Sequence, residues 1–252
     1  MDTPGALPRL CRIPLDQSQV GQGIPAATVE NLPDVGWRWG AAWLRRPVLL
    51  GWLWLTAQGA LAQRTVHVAL VYGSTSGVYG DRQGQWVSEA TPAQPLTPRA
   101  WRRVDAEARV HWLGRATGVR TSVLRIPGIY APDREGGTPR ERLLRGTPVL
   151  RREDDVHTNH VHADDLACAC VRALWRAPVQ RVFNVCDDTE LTMGDYFDLA
   201  ADLYGLPRPE RVSREQARER LSPMTLSFMG ESRRLRNGRM KRELGLELRY
   251  PT

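Results

Sequence analysis

An α/β fold built on a parallel sheet is predicted by three observations. Residues 66–72, Val-His-Val-Ala-Leu-Val-Tyr, form an uncharged, largely apolar run that empties into Gly-Ser-Thr-Ser-Gly. Further short apolar runs alternate with helix-period patterns from residue 65 onward. The helical patterns are punctuated by capping residues and glycines at their ends. Strands alternating with helices in this way favour crossover connections and parallel pairing.

The elements follow in order. The run at 66–72 is expected to be a strand buried on both faces, since it shows no polar alternation. Ligands of open α/β sheets bind beyond the carboxyl ends of the strands, which places the hydroxyls of Ser74, Thr75 and Ser76 at such an end. Thr97-Pro98 reads as an N-cap followed by proline at the first helical position. Trp101, Val104, Ala108 and Trp112 then share one face, and Asp105 and Arg109 can pair one turn apart. Gly118 closes that helix, and residues 119–126 read as the next strand, ended by Pro127-Gly128. Asp164 is expected to cap a helix running to about Trp175. Residues 182–186 form another short strand. Thr192-Met-Gly-Asp195 resembles a capping box that opens a helix to Tyr204, with Gly205 at its end, and Ser213-Arg-Glu-Gln216 opens a further one. From about residue 190 the chain is mostly helical and reads as a small appended lobe.

Composition narrows the function classes. The chain has 252 residues, of which 42% are hydrophobic and 25% charged, as in a globular protein able to bury a core. The formal charge is +7, and Lys241 is the only lysine, so the positive charge is arginine scattered along the chain. A nucleic-acid binder would concentrate that charge on one face, so no nucleic-acid partner is expected. Residues 47–62 are uncharged but shorter than the about 20 apolar residues of a membrane span, and no basic region runs directly into an apolar one as in a signal peptide. A cytoplasmic protein with no membrane anchor is expected. Cys11, Cys168, Cys170 and Cys186 have neither ligand nor framework spacing and are read as reduced core thiols. His157, His160, His162, Asp164 and Asp165 lie close in sequence, but imidazoles at alternating strand positions do not make a ligand set, and no metal is expected.

Residues 1–64 differ from the rest: they hold five tryptophans, four acidic residues and no clear alternation of strand and helix. They are read as an atypical segment, frameshifted or disordered. Residues 65–189 are read as the main α/β unit and 190–252 as the small lobe.

Four blocks carry a family resemblance. They are Ser-Thr-Ser-Gly-Val-Tyr-Gly-Asp at 74–81 with Glu89-Ala-Thr-Pro92, Val-Leu-Arg-Ile-Pro-Gly-Ile-Tyr-Ala-Pro at 123–132, Asn-His-Val-His-Ala-Asp-Asp-Leu-Ala at 159–167, and Val-Phe-Asn-Val-Cys-Asp-Asp at 182–188 with Lys241-Arg-Glu-Leu-Gly245. In order and spacing they resemble the extended short-chain dehydrogenase/reductases, the NAD-dependent epimerase/dehydratase family, in an atypical, YeeZ-like form. The resemblance implies a Rossmann-like parallel sheet, here with an incomplete N-terminal half, NAD or NADP as cofactor, and a nucleotide-sugar or related small molecule as substrate. It assigns Thr75, with Ser76 beside it, to contact with the substrate hydroxyl. It assigns Pro127, Gly128 and Ile129 to main chain near the nicotinamide. The histidine segment receives a structural role.

In that family a tyrosine phenolate takes the proton while hydride moves to NAD, and a lysine four residues later lowers its pKa. Aligning Thr97-Pro98-Arg99 through Arg103 with this block puts Arg99 at the tyrosine and Arg103 at the lysine position. Arginine does not deprotonate at neutral pH, so Arg99 cannot act as the base, whereas Arg103 can bind a ribose or phosphate oxygen. Ordinary turnover is therefore not expected. The phosphate-holding glycine turn is missing too: Gly21-Gln-Gly23-Ile-Pro-Ala26 follows no buried strand and lies too close to Ser74 for the intervening units, at about thirty residues each. Weak or absent NAD binding is the expectation. A non-catalytic nucleotide sensor or scaffold of the same fold is the alternative, and the sequence names no oligomeric state.

Overall fold

The computed structural model describes residues 68–134 and 136–252. The segment 1–64, the 47–62 run and the Gly21–Ala26 match lie outside the described residues. Sixteen regular elements follow one another in this part: β1 (Ala69–Thr75), β2 (Trp86–Val87), α1 (Pro98–Thr117), β3 (Arg120–Ile126), β4 (Gly128–Tyr130), α2 (Arg140–Leu144), β5 (Val149–Leu150), β6 (His160–His162), α3 (Ala163–Arg176), β7 (Arg181–Asn184), α4 (Met193–Tyr204), β8 (Arg211–Val212), α5 (Arg214–Arg220), α6 (Pro223–Met229), β9 (Arg234–Leu235) and α7 (Gly238–Leu244).

The central sheet is parallel, in the order β1-β3-β7. Thr75 is opposite Ile126, and Arg125 opposite Asn184, so the three carboxyl ends lie side by side. Three further two-stranded parallel pairs, β4 with β6, β2 with β9 and β5 with β8, surround it.

The strand buried along both faces is β3, where residues 121–125 are all buried, rather than β1, whose residues are mostly half-buried. Position explains the difference from expectation. Among the described residues β1 is an outer strand, while β3 has a neighbour on either side.

Helix α1 begins and ends where its sequence predicts. The Thr97 hydroxyl accepts from the Ala100 amide, Pro98 occupies the first turn, and Gly118 closes the helix in the left-handed region at φ 71°. Its buried face is different from the expected one. Ala100, Glu107 and Gly114 face inward, and Trp101 and Trp112 remain 60% and 57% exposed. The sheet-facing stripe is selected by close approach: a Cβ on Gly114 would sit 2.6 Å from Thr121 Oγ1 and 3.2 Å from the Val119 carbonyl. A large side chain cannot occupy position 114, and the tryptophans lie on the outward side of the helix.

Helix α3 also corrects an expectation at its start. His162, in extended conformation, is the N-cap, and its Nδ1 accepts from the Asp164 amide. Asp164 is already inside the first turn, where a carboxylate interacts favourably with the helix dipole. Asp165 is buried and accepts the amides of Arg249 and Tyr250, fixing the returning C-terminal segment. Strand β7 ends at Asn184, two residues before the expected limit. The boxes at Thr192 and Ser213 cap α4 and α5, with both reciprocal bonds present at Ser213 and Gln216.

The main core joins Leu124 and Phe183 of the sheet with Val161, Ala169, Ala173, Met240 and Leu244. A second cluster joins Leu143, Val149, Phe197, Ala200 and Ala201, so α2 and β5 pack with α4. Cys170 and Cys186 are free thiols. Cys11 lies outside the described residues. No described helix is long and apolar enough to cross a membrane.

Gly114→Leu is expected to destabilise the protein by about 1–3 kcal/mol through overpacking against Thr121, read as a lower urea midpoint with an unchanged slope.

Candidate functional site

The carboxyl end of the sheet opens into a cleft of about 460 Å³. Thr75, Ser76 and Gly77 supply one part of its lining and Pro127, Gly128 and Ile129 another. Tyr196 and Phe197 of α4 and Phe228 of α6 contribute an aromatic portion. Five of the six site residues assigned from sequence thus meet around one space.

The turn after β1 is built by its own hydroxyls. Thr75 ends the strand and caps a short 3-10 helix over Ser76–Tyr79, accepting from the Gly77 amide at 3.2 Å. The hydroxyl hydrogen of Thr75 stays available for a ligand oxygen, because that bond uses only an acceptor site. Ser76 is buried beside it.

Behind the tip lies a buried polar chain. Ser74 Oγ donates to Glu107 Oε1. Arg125 grips the same carboxylate through Nε and Nη2, the latter at 2.7 Å, and lies 4.7 Å over the Tyr79 ring. The Tyr79 hydroxyl donates to Asn184 Oδ1 at 2.7 Å. Strands β1, β3 and β7 and helix α1 are therefore tied together one residue behind the cleft.

Arg99 lines the cleft with its guanidinium 5.1 Å over the Phe228 ring. Arg103 does not line it. Its Nη1 donates to Tyr72 Oη at 2.9 Å and lies 3.4 Å from the Gly73 carbonyl. One helical turn carries Arg103 along β1, away from the opening.

The histidine segment supplies an aromatic stack. His160 stacks on Tyr196 with ring centroids 4.2 Å apart, and His162 on Tyr250 at 3.7 Å. Gly128 makes room for this: its absent Cβ would meet His160 Cδ2 at 3.1 Å. Burial lowers the His160 pKa to about 4, so its imidazole is neutral throughout the physiological range. Burial also raises the phenols of Tyr130 and Tyr196 to about 12, which leaves them protonated hydrogen-bonding groups. His157 lies beside the Glu190 carbonyl, 3.2 Å from its Nδ1. Among the described residues no group of three or more His, Cys, Asp or Glu side chains is placed to hold a metal ion.

Sequence reasoning did not find Arg142, Phe197 or Phe228 as cleft residues, nor the Glu107–Arg125 pair. No local motif marks the first three, which come from separate segments. The glutamate was findable in principle, as a charge two turns beyond Arg99 on the α1 face that carries Ala100.

A parallel sheet whose carboxyl ends open on a ligand-sized cleft defines a Rossmann-like α/β protein. The chain belongs to the NAD dependent epimerase/dehydratase family, whose family model matches residues 55–186. It is 36% identical to a functionally unknown conserved protein from Silicibacter pomeroyi DSS, with a TM-score of 0.64 over 72% of this chain and 62% of that one. MoeE5, solved with UDP-glucuronic acid and NAD, shares the fold at 22% identity and a TM-score of 0.58, with 73% of this chain and 60% of that chain covered. A curated relative, the uncharacterized UDP-glucose epimerase YtcB of Bacillus subtilis (strain 168), is 33% identical over 75 residues, 30% of this chain and 23% of YtcB. The chain spans about three fifths of the length of these two solved structures.

NAD is the cofactor in the family's description. The described residues fit only part of such a group: a hydroxyl at Thr75 and exposed main chain at Gly128, with no glycine-rich strand-turn-helix for a pyrophosphate among them.

His160 gives stability a defined pH dependence. The unfolded imidazole takes a proton below about pH 6.5 and the folded one only near pH 4, so stability is lost as pH falls through that window. Asp187, raised by burial to about 6, binds its proton more tightly when folded and works in the opposite direction. The His160 contribution is isolated by difference. From pH 7 to 5 the protein is expected to lose about 2 kcal/mol more than its His160→Phe variant, measured by urea unfolding at each pH.

Proposed function

We propose that the protein is an epimerase/dehydratase-like protein whose cleft takes a nucleotide-sugar or related small molecule, in which nicotinamide-nucleotide binding is weak and ordinary hydride-transfer turnover is lost. One observation supports this reading: Arg99, which aligns in sequence with the family's tyrosine, lines the same cleft as Thr75, and the family's chemistry needs a group that gives up and regains a proton. A guanidinium keeps its protons at neutral pH, so Arg99 donates hydrogen bonds and charge but removes no proton. Arg103, engaged with Tyr72 and the Gly73 carbonyl, does not restore the missing pair. Thr75 and the main chain of Gly128 and Ile129 remain able to orient a ligand oxygen or amide.

When bound, the nicotinamide would supply hydride acceptance and return. Thr75 would hold the ligand hydroxyl, and the aromatic side chains of α4 and α6 would exclude water from it. Residues 65–189 are proposed as the nucleotide-binding part and 190–252 as the substrate lobe. A non-catalytic nucleotide sensor is the second reading, favoured by the same arginine.

Calorimetric titration with NAD and NADP is expected to give dissociation constants weaker than about 1 mM for the chain of this sequence, and micromolar binding would overturn the view of residues 1–64. Across a nucleotide-sugar panel, neither epimerisation nor dehydration is expected. Turnover that disappears in Arg99→Met would show that arginine has been given a catalytic role and would sink the proposal.

A further inference from the structure

The arginines on the cleft differ in what holds them. Arg134 Nη1 donates to the Ile129 carbonyl. Arg233 is tied to Glu231 and to the Gly80 carbonyl. Arg99 is exposed over Phe228. Arg142 stands apart, because two of its guanidinium nitrogens, Nε and Nη2, are buried without a hydrogen-bond partner, against Nε alone in Arg233. Its guanidinium lies 4.4 Å over the Phe197 ring, on the lining of the cleft. Burial, and then the neighbouring Arg145, lower its pKa, although a guanidinium stays protonated at neutral pH.

A guanidinium has donors and no acceptor, so only an acceptor satisfies it. Leaving such a group buried and unmatched is unfavourable, and a charge is matched best by an opposite charge that accepts two parallel bonds. The Phe197 ring covers the guanidinium from one side. Glu231 is the one carboxylate on the cleft lining, and it is already engaged with Arg233. The lining is therefore cationic.

We infer that Arg142 anchors an oxyanion subsite on the α2–α4 side of the cleft, taking a carboxylate or phosphate of the ligand. The inference rests on the reading of this cleft as a small-molecule site and specifies which chemical group that molecule brings. Phosphate and carboxylate share the planar or tetrahedral oxygen pair that a fork-shaped donor recognises, and they are separated by choice of probe.

The test uses the full chain and titrates pyrophosphate and glucuronate, with uridine and glucose as uncharged controls. At least one anion is expected to bind, to lose tenfold or more in Arg142→Met, and to recover only part of that loss in Arg142→Lys, which keeps the charge without the fork. The exposed Arg109→Met variant should bind as the parent does. Loss confined to pyrophosphate assigns a phosphate, and loss confined to glucuronate a carboxylate. Unchanged affinity in Arg142→Met, equal loss in Arg109→Met, or no anion binding by the parent overturns the subsite. Removing an unmatched buried cation should leave the melting temperature unchanged or higher, so a lowered melting temperature with unchanged anion affinity makes Arg142 structural and also overturns it. Anion binding that depends on Arg142 in a chain that does turn over a nucleotide-sugar would keep the subsite and remove the reading in which turnover is lost.

Discussion

The Arg125–Glu107 pair is the constraint on which the rest of the structure depends. The two side chains are 9% and 6% exposed, and they are joined by a short, doubly hydrogen-bonded contact between β3 and α1. A buried pair of this kind contributes little net stability relative to a well-packed apolar one, but breaking it leaves an unmatched charge. Its value lies in register. Glu107 accepts from Ser74 as well, so the helix cannot slide along the sheet without losing three bonds to one carboxylate. Through Ser74 the tip of β1 is held one residue before Thr75. Through the Tyr79 ring and Asn184 the same chain reaches β7. The cleft is shaped by groups that do not touch it.

That pair also explains where local reading of the sequence stopped. Caps are local events, and Thr97-Pro98, Gly118, Thr192 and the Ser213 box could be placed from a few residues each. The orientation of α1 is not local. A periodicity argument weighs apolar size and therefore prefers Trp101 and Trp112, while the actual interface requires small residues at Ala100 and Gly114 and a carboxylate between them. Close approach to a sheet rewards the absence of side chain, which no hydrophobicity pattern registers. The His162 cap was hidden for a related reason: Asp164 has the stronger intrinsic preference, but the backbone turns helical two residues earlier, and an imidazole Nδ1 can accept the same amide.

The site divides along the same line. Thr75, Ser76 and the Pro127–Ile129 main chain were legible because each ends a strand, and strand ends converge in any parallel sheet. The aromatic and cationic portions were not. Tyr196 and Phe197 come from α4, Phe228 from α6 and Arg142 from α2, and only the packing of α2 and β5 against α4 brings them to the strand ends. Gly128 connects the two portions, since the space left by its missing Cβ lets His160 stack on Tyr196.

Under the proposed reading, an arginine at position 99 changes what the cleft can do with charge. A phenol that cycles between neutral and anionic forms permits proton transfer, and its usefulness depends on a pKa near the working pH. A guanidinium has one charge state there, so its contribution is constant and attractive to anions. Four arginines on the lining with a single carboxylate, itself paired, give a space whose field favours binding a negative group over removing a proton from a neutral one. His160 does not supply the missing base, because its burial keeps it neutral and its ring face is covered by Tyr196. The same burial that makes the aromatic lining a water-excluding surface keeps His160 from taking a proton near neutrality. Under the proposed reading, ligand retention and loss of turnover have one electrostatic origin.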